Sequence, residues 1–279
     1  MSDITVRHID FSFDGDIPFH WNPGNPQWGN FVNLITMIVP AFEKYVIRST
    51  RAAIPRLGNT RLKRDADLFC RQEAQHSKHH IQHIKVLTGQ YPGLQEVAEQ
   101  VMASYDQLFE SESLEFHLAY AAMAELYLGP MASFVTENRQ ALMGQGDSRI
   151  ASFILWHFIE EFEHRNAALD ICNDVVGSFR FRVKCFPKIA RHLNHVKSIV
   201  LAGFDEHVPQ PANGPKNSAI GDMFASAPTG KTLRLYYELL CTLLPYHRPD
   251  TIREPDWVRQ WHRDYWAGVD MTRYFPAAS

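Results

Sequence analysis

Two stretches of sequence decide the fold, FCRQEAQHSKHH at Phe69–His80 and WHFIEEFEHRNAALD at Trp156–Asp170. Each contains a glutamate that is followed three residues later by a histidine. Residues three or four positions apart lie on one face of an α-helix, so the two side chains of each motif can reach the same ion. Neither stretch contains glycine or proline, and neither alternates between apolar and polar residues. We therefore expect two helices that each carry metal ligands on one face.

The two motifs are Glu73 with His76 and Glu161 with His164, and these four residues form the candidate catalytic centre. One E-x-x-H motif is a weak signal, because glutamate and histidine are common enough in this chain to give such pairs by chance. Two such motifs are also unremarkable by count, and the strength of the signal lies in their order among the other acidic residues, one element per helix. Mixed ligands of this kind are typical of iron and manganese sites, and zinc is an alternative.

Two further helices each carry a single acidic residue in an apolar stretch. Glu43 is the only acidic residue in the first predicted helix, and Glu125 is the only charged residue between Leu118 and Thr136. A lone carboxylate among apolar residues costs free energy unless it is paired or bound to a metal. In chain order, the four helices therefore offer Glu, E-x-x-H, Glu and E-x-x-H. This order is typical of di-iron and di-manganese carboxylate proteins, which hold their metals inside a four-helix bundle.

Several other polar residues flank the motifs and can support a ligand histidine from outside. His80 lies on the same helical stripe as the first motif, and Glu160 can hold an imidazole N–H group. Asp170 is six residues beyond the second motif, off the ligand stripe, and can bond a histidine of a neighbouring helix. We expect His79 and His83 to be surface residues.

Glycine and proline residues divide the chain into an irregular arm at 1–27, a four-helix metal-binding core at 28–178 and a helical extension at 179–279. The fold class is therefore all-α, with the extension packed on the core. Pro40 either kinks the first helix or begins a new one, and a kink is expected at Gly129-Pro130. The predicted helices are Trp28–Ile54, Gly58–Leu87, Pro92–Glu110, Ser113–Leu142, a helix capped by Asp147 or Ser148 that reaches about Val176, Arg180–His207, Lys231–Leu244 and the aromatic segment Trp257–Tyr274.

The composition excludes several classes of protein. Of 279 residues, 45% are hydrophobic and the net charge is −3, so the chain can build a core and is not disordered. It has no block of basic residues, and we expect no nucleic-acid partner. Four cysteines without C-x-x-C spacing are expected to be free thiols. Because the N-terminal residues also lack the apolar region of a secretory signal, we expect a cytoplasmic protein.

The two quoted stretches resemble a bacterial family of predicted metal-dependent hydrolases, which is placed in the ferritin-like superfamily. The resemblance covers roughly residues 15–275 and implies a ferritin-like four-helix bundle. The ligand pattern is also similar to p-aminobenzoate N-oxygenase and related di-iron arylamine oxygenases, which add a third histidine one turn before the last motif. His157 occupies that position. The resemblance implies seven metal ligands: Glu43, Glu73, His76, Glu125, His157, Glu161 and His164.

The function we expect first is that of a di-iron oxidoreductase, in which two iron ions activate O₂ to oxidise a small apolar or aromatic molecule. An Fe/Mn pair, two Mn ions or zinc are the alternative metals. An apolar pocket beside Ala121, Ala122 and Leu128 would suit such a substrate. The chain shows no flavin, nicotinamide or iron–sulfur motif, so an external electron donor or reductase would be needed.

Two alternatives stay open at this point. A metal-dependent hydrolase would use two bridged ions to lower the pKa of a bound water and make hydroxide. A non-catalytic metal-binding helical protein is the second alternative.

The predicted helix Lys231–Leu244 is expected to be core. The aromatic tail is expected to pack on the bundle or on a second copy in a homodimer, and contact with a membrane surface is the less favoured interpretation.

Overall fold

The computed structural model describes residues 4–275, and helices are the only regular secondary structure among them, as expected for an all-α protein. The α-helices are α1 (Pro26–Ala53), α2 (Thr60–Gln90), α3 (Leu94–Ser111), α4 (Leu114–Met143), α5 (Ser148–His164), α6 (Ala167–Val175), α7 (Phe179–His207), α8 (Thr229–Cys241) and α9 (Asp256–Trp266). Short 3₁₀ turns lie at Ile54–Arg56 and Pro249–Thr251.

Four helices form the core that positions the candidate ligands. Helix α1 packs on α2 and α4, and α5 packs on the same two helices, so α1, α2, α5 and α4 close a ring. Helix α3 connects α2 to α4 outside this ring and packs on α1 and α7, while α8 and α9 contact α4. The four helices with the predicted ligands therefore face one another. The assignment of this bundle to the ferritin-like superfamily stays a prediction.

Residues 4–25, before α1, have no regular structure, but they lie on the bundle and bury apolar side chains. Ile9, Phe13, Phe19 and Trp21 are all buried. Burial of four large apolar side chains stabilises this arm by several kcal/mol, at about 25 cal/mol per Å² of apolar surface. The arm is thus part of the core.

Local polar contacts set where the ring helices begin. Asn59 caps α2 by accepting hydrogen bonds from two backbone amides, and Ser113 caps α4 through Phe116 N. Asp147, rather than Ser148, is the residue that caps α5. These side chains satisfy amide groups that have no partner within the helix.

Two prolines lie inside ring helices without ending them. Helix α1 continues through Pro40, and α4 continues through Pro130. The residue of α4 with non-helical backbone angles is Asn138, with φ −107° and ψ 16°, and the kink expected at Gly129-Pro130 stays a prediction. Its side-chain amide donates to Phe134 O at 2.8 Å, the carbonyl that its own backbone N–H would normally bond.

The predicted helix from about 148 to 176 is wrong in one respect, because it is two helices. Helix α5 ends at His164 and α6 begins at Ala167. The Arg165 guanidinium donates to Phe162 O, a carbonyl that would otherwise bond the next turn, and also to Pro249 O. The α-helix is therefore interrupted directly after the second E-x-x-H motif.

The C-terminal region packs less completely than expected. Helix α8 was expected to be core, yet only Leu235 is buried, and Leu233 and Leu240 are 65% and 66% exposed. Helix α9 ends at Trp266, so the helical part of the aromatic tail is shorter than the sequence predicts. Trp261 is buried against the bundle, in agreement with packing of the tail.

Helix α4 is the one helix of residues 4–275 that is long and apolar enough to cross a membrane by length and composition. Of its most apolar window, 78% is buried inside the protein, as in the core helix of a soluble protein.

The cysteines are free thiols, as predicted; three are buried and Cys241 is half-buried.

Candidate metal centre

The structure brings all seven candidate ligands into the centre of the ring, and all of them are buried. The side chains come from α1 (Glu43), α2 (Glu73 and His76), α4 (Glu125) and α5 (His157, Glu161 and His164). The spacing within each helix places its ligands on one face, and the closed ring turns the four faces toward a common centre.

Six of these side chains form two groups that can each hold a metal ion. In each group, one ligand atom per residue lies within 4.8 Å of the others. Site 1 contains Glu43, His76 and His157, and site 2 contains Glu73, Glu161 and His164.

Two carboxylates lie between the sites. Glu161 Oε1 is 3.0 Å from His157 Nε2, and Glu161 Oε2 is 2.8 Å from His164 Nε2. Glu73 is placed similarly, with Oε2 3.8 Å from His76 Nδ1 and Oε1 3.1 Å from His164 Nε2. Each of these carboxylates therefore offers one oxygen to each site, as a bridging ligand would.

Several other polar atoms of the centre have no hydrogen-bond partner within residues 4–275. Both carboxylate oxygens of Glu43 and of Glu125 are buried without a hydrogen-bond partner among the described residues, and so is His76 Nδ1. Buried carboxylates of this kind are costly unless they are neutralised, paired or bound to a metal. The donor set of oxygens and imidazole nitrogens suits iron, manganese or zinc. The residues present therefore fit a metal centre.

Without metal, the centre must hold protons. Burial, followed by repulsion from Glu73 and Glu161, raises the pKa of Glu43 and of Glu125 well above the usual range of a carboxylic acid. Although burial alone would raise it, the pKa of Glu161 is lowered, because His164 and His157 face this carboxylate. In the metal-free protein, protons on the carboxyl groups of Glu43 and Glu125 thus take the place of metal cations.

The two E-x-x-H histidines also bind protons more tightly than usual. Burial opposes the charged form of His76, but the hydrogen bond of Glu160 and the nearby carboxylate of Glu73 outweigh it and raise its pKa to about 10. For His164, burial is likewise outweighed, chiefly by the charges of Glu161 and Glu73, and the pKa rises to about 9. A metal ion that binds here must displace these protons.

Each ligand histidine is also held by the nitrogen that faces away from the centre. His76 Nε2 is 3.1 Å from Glu160 Oε2, and His157 Nδ1 is 2.9 Å from His80 Nε2. Glu160 and His80 therefore each contact a candidate ligand histidine from outside, and their supporting role stays a prediction. Such outer contacts fix the tautomer of a ligand histidine, so that the inner nitrogen keeps its lone pair for the metal.

The expectation that His79 and His83 are surface residues is wrong, because both are buried. The N-terminal arm covers them: the Phe11 ring packs edge-on against His79, and Phe13 stacks on His83 at 5.5 Å. Thr36 Oγ1 lies 3.2 Å from the Nδ1 atoms of both His80 and His83. Helical periodicity could not reveal this, since the covering side chains come from a distant part of the chain.

The structure describes no hydrogen bond between the Asp170 side chain and a histidine of the centre, and the supporting role of Asp170 stays a prediction. The break after α5 ends the helical register, and Asp170 lies on α6 with an exposed side chain. It lines a polar surface pocket together with Asp65 and Asp250.

An apolar cavity of about 110 Å³ opens directly on the centre. Because an apolar cavity of about 150 Å³ is needed to hold benzene, this smaller one accommodates part of an alkyl chain or part of an aromatic ring. Of the predicted pocket residues, Leu128 lines the cavity, whereas Ala121 and Ala122 do not. Its apolar walls are Phe31, Ile35, Val39, Phe42, Leu128, Met131, Ile154 and Phe158, and the polar ones are Glu43, Glu73, Glu125, His157 and Glu161.

An all-α bundle with two buried Glu/His groups at its centre has the features of a metal-binding helical protein. The chain belongs to the family described as "Predicted metal-dependent hydrolase", whose family model matches residues 5–250. No curated protein and no solved structure gives a significant match. A metal-dependent family and buried clusters of Glu and His together support a metal cofactor.

We expect the purified protein to contain about two metal ions per chain, and Glu161→Ala to lose most of this metal, because Glu161 offers an oxygen to each site. Plasma mass spectrometry on protein prepared without chelator measures the content. Glu99→Ala, the same substitution at an exposed position of α3, serves as the control and keeps the metal. Equal metal content in all three proteins would contradict the assignment of these ligands.

Metal affinity should rise with pH. At neutral pH the metal-free protein holds protons on His76 and His164, whose pKa values are about 10 and 9, and binding releases them. Below these values the apparent affinity increases about tenfold per pH unit for each proton released. Zn(II) titration in weak buffer between about pH 6 and pH 8 measures both the apparent affinity and the number of protons released. An affinity that is independent of pH over this range would show that the protons are not displaced.

Proposed function

We propose that this protein is a dinuclear-metal hydrolase that acts on a small apolar substrate. The observation that carries the proposal is that two Glu/His groups, with Glu73 and Glu161 between them, lie at the polar end of an apolar cavity. Membership of a family described as metal-dependent hydrolases favours hydrolysis over other metal chemistry.

Site 1 and site 2 would each hold one divalent ion. When bound, such ions act as Lewis acids that lower the pKa of a coordinated water molecule and polarise the bond to be cleaved. The chain itself contributes the spacing of the two ions, through the carboxylates of Glu73 and Glu161. Contacts on the outer nitrogens of His76 and His164 would leave their inner nitrogens to bind the ions once the extra protons are displaced.

Glu125 is the carboxylate best placed to accept a proton. It belongs to neither group of three, its nearest histidine nitrogen is His164 Nε2 at 3.8 Å, and it lines the cavity. Its oxygens have no hydrogen-bond partner among residues 4–275. With cations in the two sites, the Glu125 carboxylate would be ionised and free to accept a proton from a molecule in the cavity, as a general base must.

The apolar walls of the cavity define the other part of the substrate. Phe31, Ile35 and Val39 follow one another at intervals of four residues along α1, so they form a continuous apolar stripe that leads to Glu43. An ester or amide with a short alkyl or aromatic group can place that group against this stripe, with its carbonyl toward the carboxylates. The walls exclude bulk water and strengthen the electrostatic interactions at the centre.

A second candidate function is the O₂-dependent oxidation of the same class of substrate. The donor set favours it, because four carboxylates with three imidazoles make an electron-rich centre that suits iron or an Fe/Mn pair. This function needs an external electron donor. Hydrolysis needs neither O₂ nor electrons, so the two candidates can be separated directly.

Anaerobic assays on a series of small aryl and alkyl esters test the proposal, with protein loaded with Zn(II), Mn(II) or Fe(II). We expect cleavage without O₂ and incorporation of oxygen from ¹⁸O-labelled water. Leu128→Trp, which fills the cavity, should reduce turnover about tenfold or more while metal content is kept. Leu233→Trp, at an exposed position of α8, is the matched control and should retain activity.

Absence of hydrolysis with all three metals, together with O₂ consumption by the iron form, would replace the proposed hydrolase by the oxidase. Equal turnover in wild type and Leu128→Trp would show that the substrate binds elsewhere.

A further inference from the structure

One arginine of the N-terminal arm is buried beside the metal centre. Arg7 is 3% exposed, and its guanidinium contacts two carboxylates of α5, Glu160 at 3.0 Å and Glu163 at 2.6 Å. A buried ion pair is costly to form, and removal of one partner leaves an uncompensated charge. Neither the E-x-x-H motifs nor the helical pattern indicates this contact, because Arg7 lies in an irregular segment about 150 residues away.

Glu160 and Glu163 each connect Arg7, through further hydrogen bonds, to a different ligand histidine. Glu160 accepts from Arg7 through Oε1, while its Oε2 lies 3.1 Å from His76 Nε2. This branch reaches site 1.

The second branch reaches site 2 through a glutamine. Glu163 accepts from Arg7 through Oε1, and its Oε2 accepts from Gln72 Nε2 at 2.9 Å. Gln72 Oε1 in turn lies 2.9 Å from His164 Nδ1. One unbroken hydrogen-bonded path therefore runs from His76 through Glu160, Arg7, Glu163 and Gln72 to His164.

The direction of each bond follows from chemistry. An ionised carboxylate and a carbonyl oxygen can only accept, so the outer nitrogens of both histidines must carry the hydrogens. Their inner nitrogens, His76 Nδ1 and His164 Nε2, face the two sites. The path thus sets opposite tautomers on the two histidines, and each is the one that its site requires.

We infer that Arg7 is a positioning residue that holds the ligand histidines of both metal sites at once, an inference that rests on the proposed dinuclear centre. Its planar guanidinium offers several N–H groups in a fixed fork, and so holds two carboxylates at a defined spacing. A lysine ammonium at this position is a point charge and cannot fix that spacing.

The C-terminal helix holds the arginine in turn. The guanidinium lies 5.7 Å from the Trp261 ring and 5.4 Å from the Tyr265 ring of α9, and Arg7 Nη2 is 3.3 Å from His262 Nδ1. The arm and α9 therefore meet at the residue that connects the two sites. This explains why residues outside the four-helix ring bear on the geometry of the metal centre.

The test compares variants that interrupt the path at its centre or on one branch. Arg7→Met interrupts both branches, Gln72→Met interrupts only the branch to His164, and Arg7→Lys keeps the charge without the fork. Arg139→Met is the matched control, because the Arg139 guanidinium also packs on an aromatic ring of α9, Trp257 at 4.0 Å, but bonds only a backbone carbonyl of its own helix.

The readouts are Zn(II) affinity by calorimetry and the nitrogen resonances of ¹⁵N-labelled histidine in the Zn(II)-loaded protein. For Arg7→Met we expect both sites to weaken by about ten- to a hundredfold, with altered resonances of both His76 and His164. Gln72→Met should weaken one site and alter His164 alone. Arg7→Lys should lie between wild type and Arg7→Met, and Arg139→Met should match wild type at both sites.

Thermal unfolding of each variant is recorded in parallel. If Arg7→Met does not fold, the comparison of Arg7→Lys with Gln72→Met decides the question, since only the first should affect both histidines. A wild-type protein that binds no Zn(II) would overturn the proposed function and this inference with it. A wild type with two ions whose affinities and histidine resonances are unchanged by Arg7→Met and Arg7→Lys would overturn this inference alone.

Discussion

Four carboxyl groups lie close together inside a helical bundle, and their mutual repulsion is the constraint on which the rest of the centre depends. Glu43, Glu73, Glu125 and Glu161 are all buried, and the unpaired oxygens of Glu43 and Glu125 receive no hydrogen bond from described residues. Such a centre is stable only when protons or cations neutralise it. In the metal-free protein, the raised pKa values of Glu43 and Glu125 favour their neutral, protonated forms. Bound metal ions are the other means of neutralising the centre.

The same constraint accounts for the arrangement around the centre. The three ligand histidines present their inner nitrogens to the carboxylates, and each outer nitrogen is bonded by a further side chain. These outer contacts lead to residues far apart in the chain, Arg7 in the arm and Thr36 on α1. The cavity beside the carboxylates has the polar side chains of the centre at one end and apolar walls elsewhere. The metal ligands, the side chains that bond the ligand histidines and the substrate cavity thus all surround one cluster of buried carboxyl groups.

The sequence predicted the parts of this arrangement that depend on helix geometry. The spacing of Glu73 and His76 places both on one helical face wherever that helix packs, and a lone Glu125 in an apolar helix must be buried near a compensating charge. It did not predict contacts made by irregular segments, because neither periodicity nor propensity positions them. Arg7 and the buried His83 belong to this class, as does the turn at Arg165, which depends on a bond to the distant Pro249 carbonyl.

The most direct test of the central claim is anomalous diffraction from crystals of the protein loaded with Mn(II). The account predicts two peaks inside the four-helix ring, one among Glu43, His76 and His157, and the other among Glu73, Glu161 and His164. Peaks found only at surface carboxylates, with none inside the ring, would contradict it and would leave protons as the sole compensation of the buried charge.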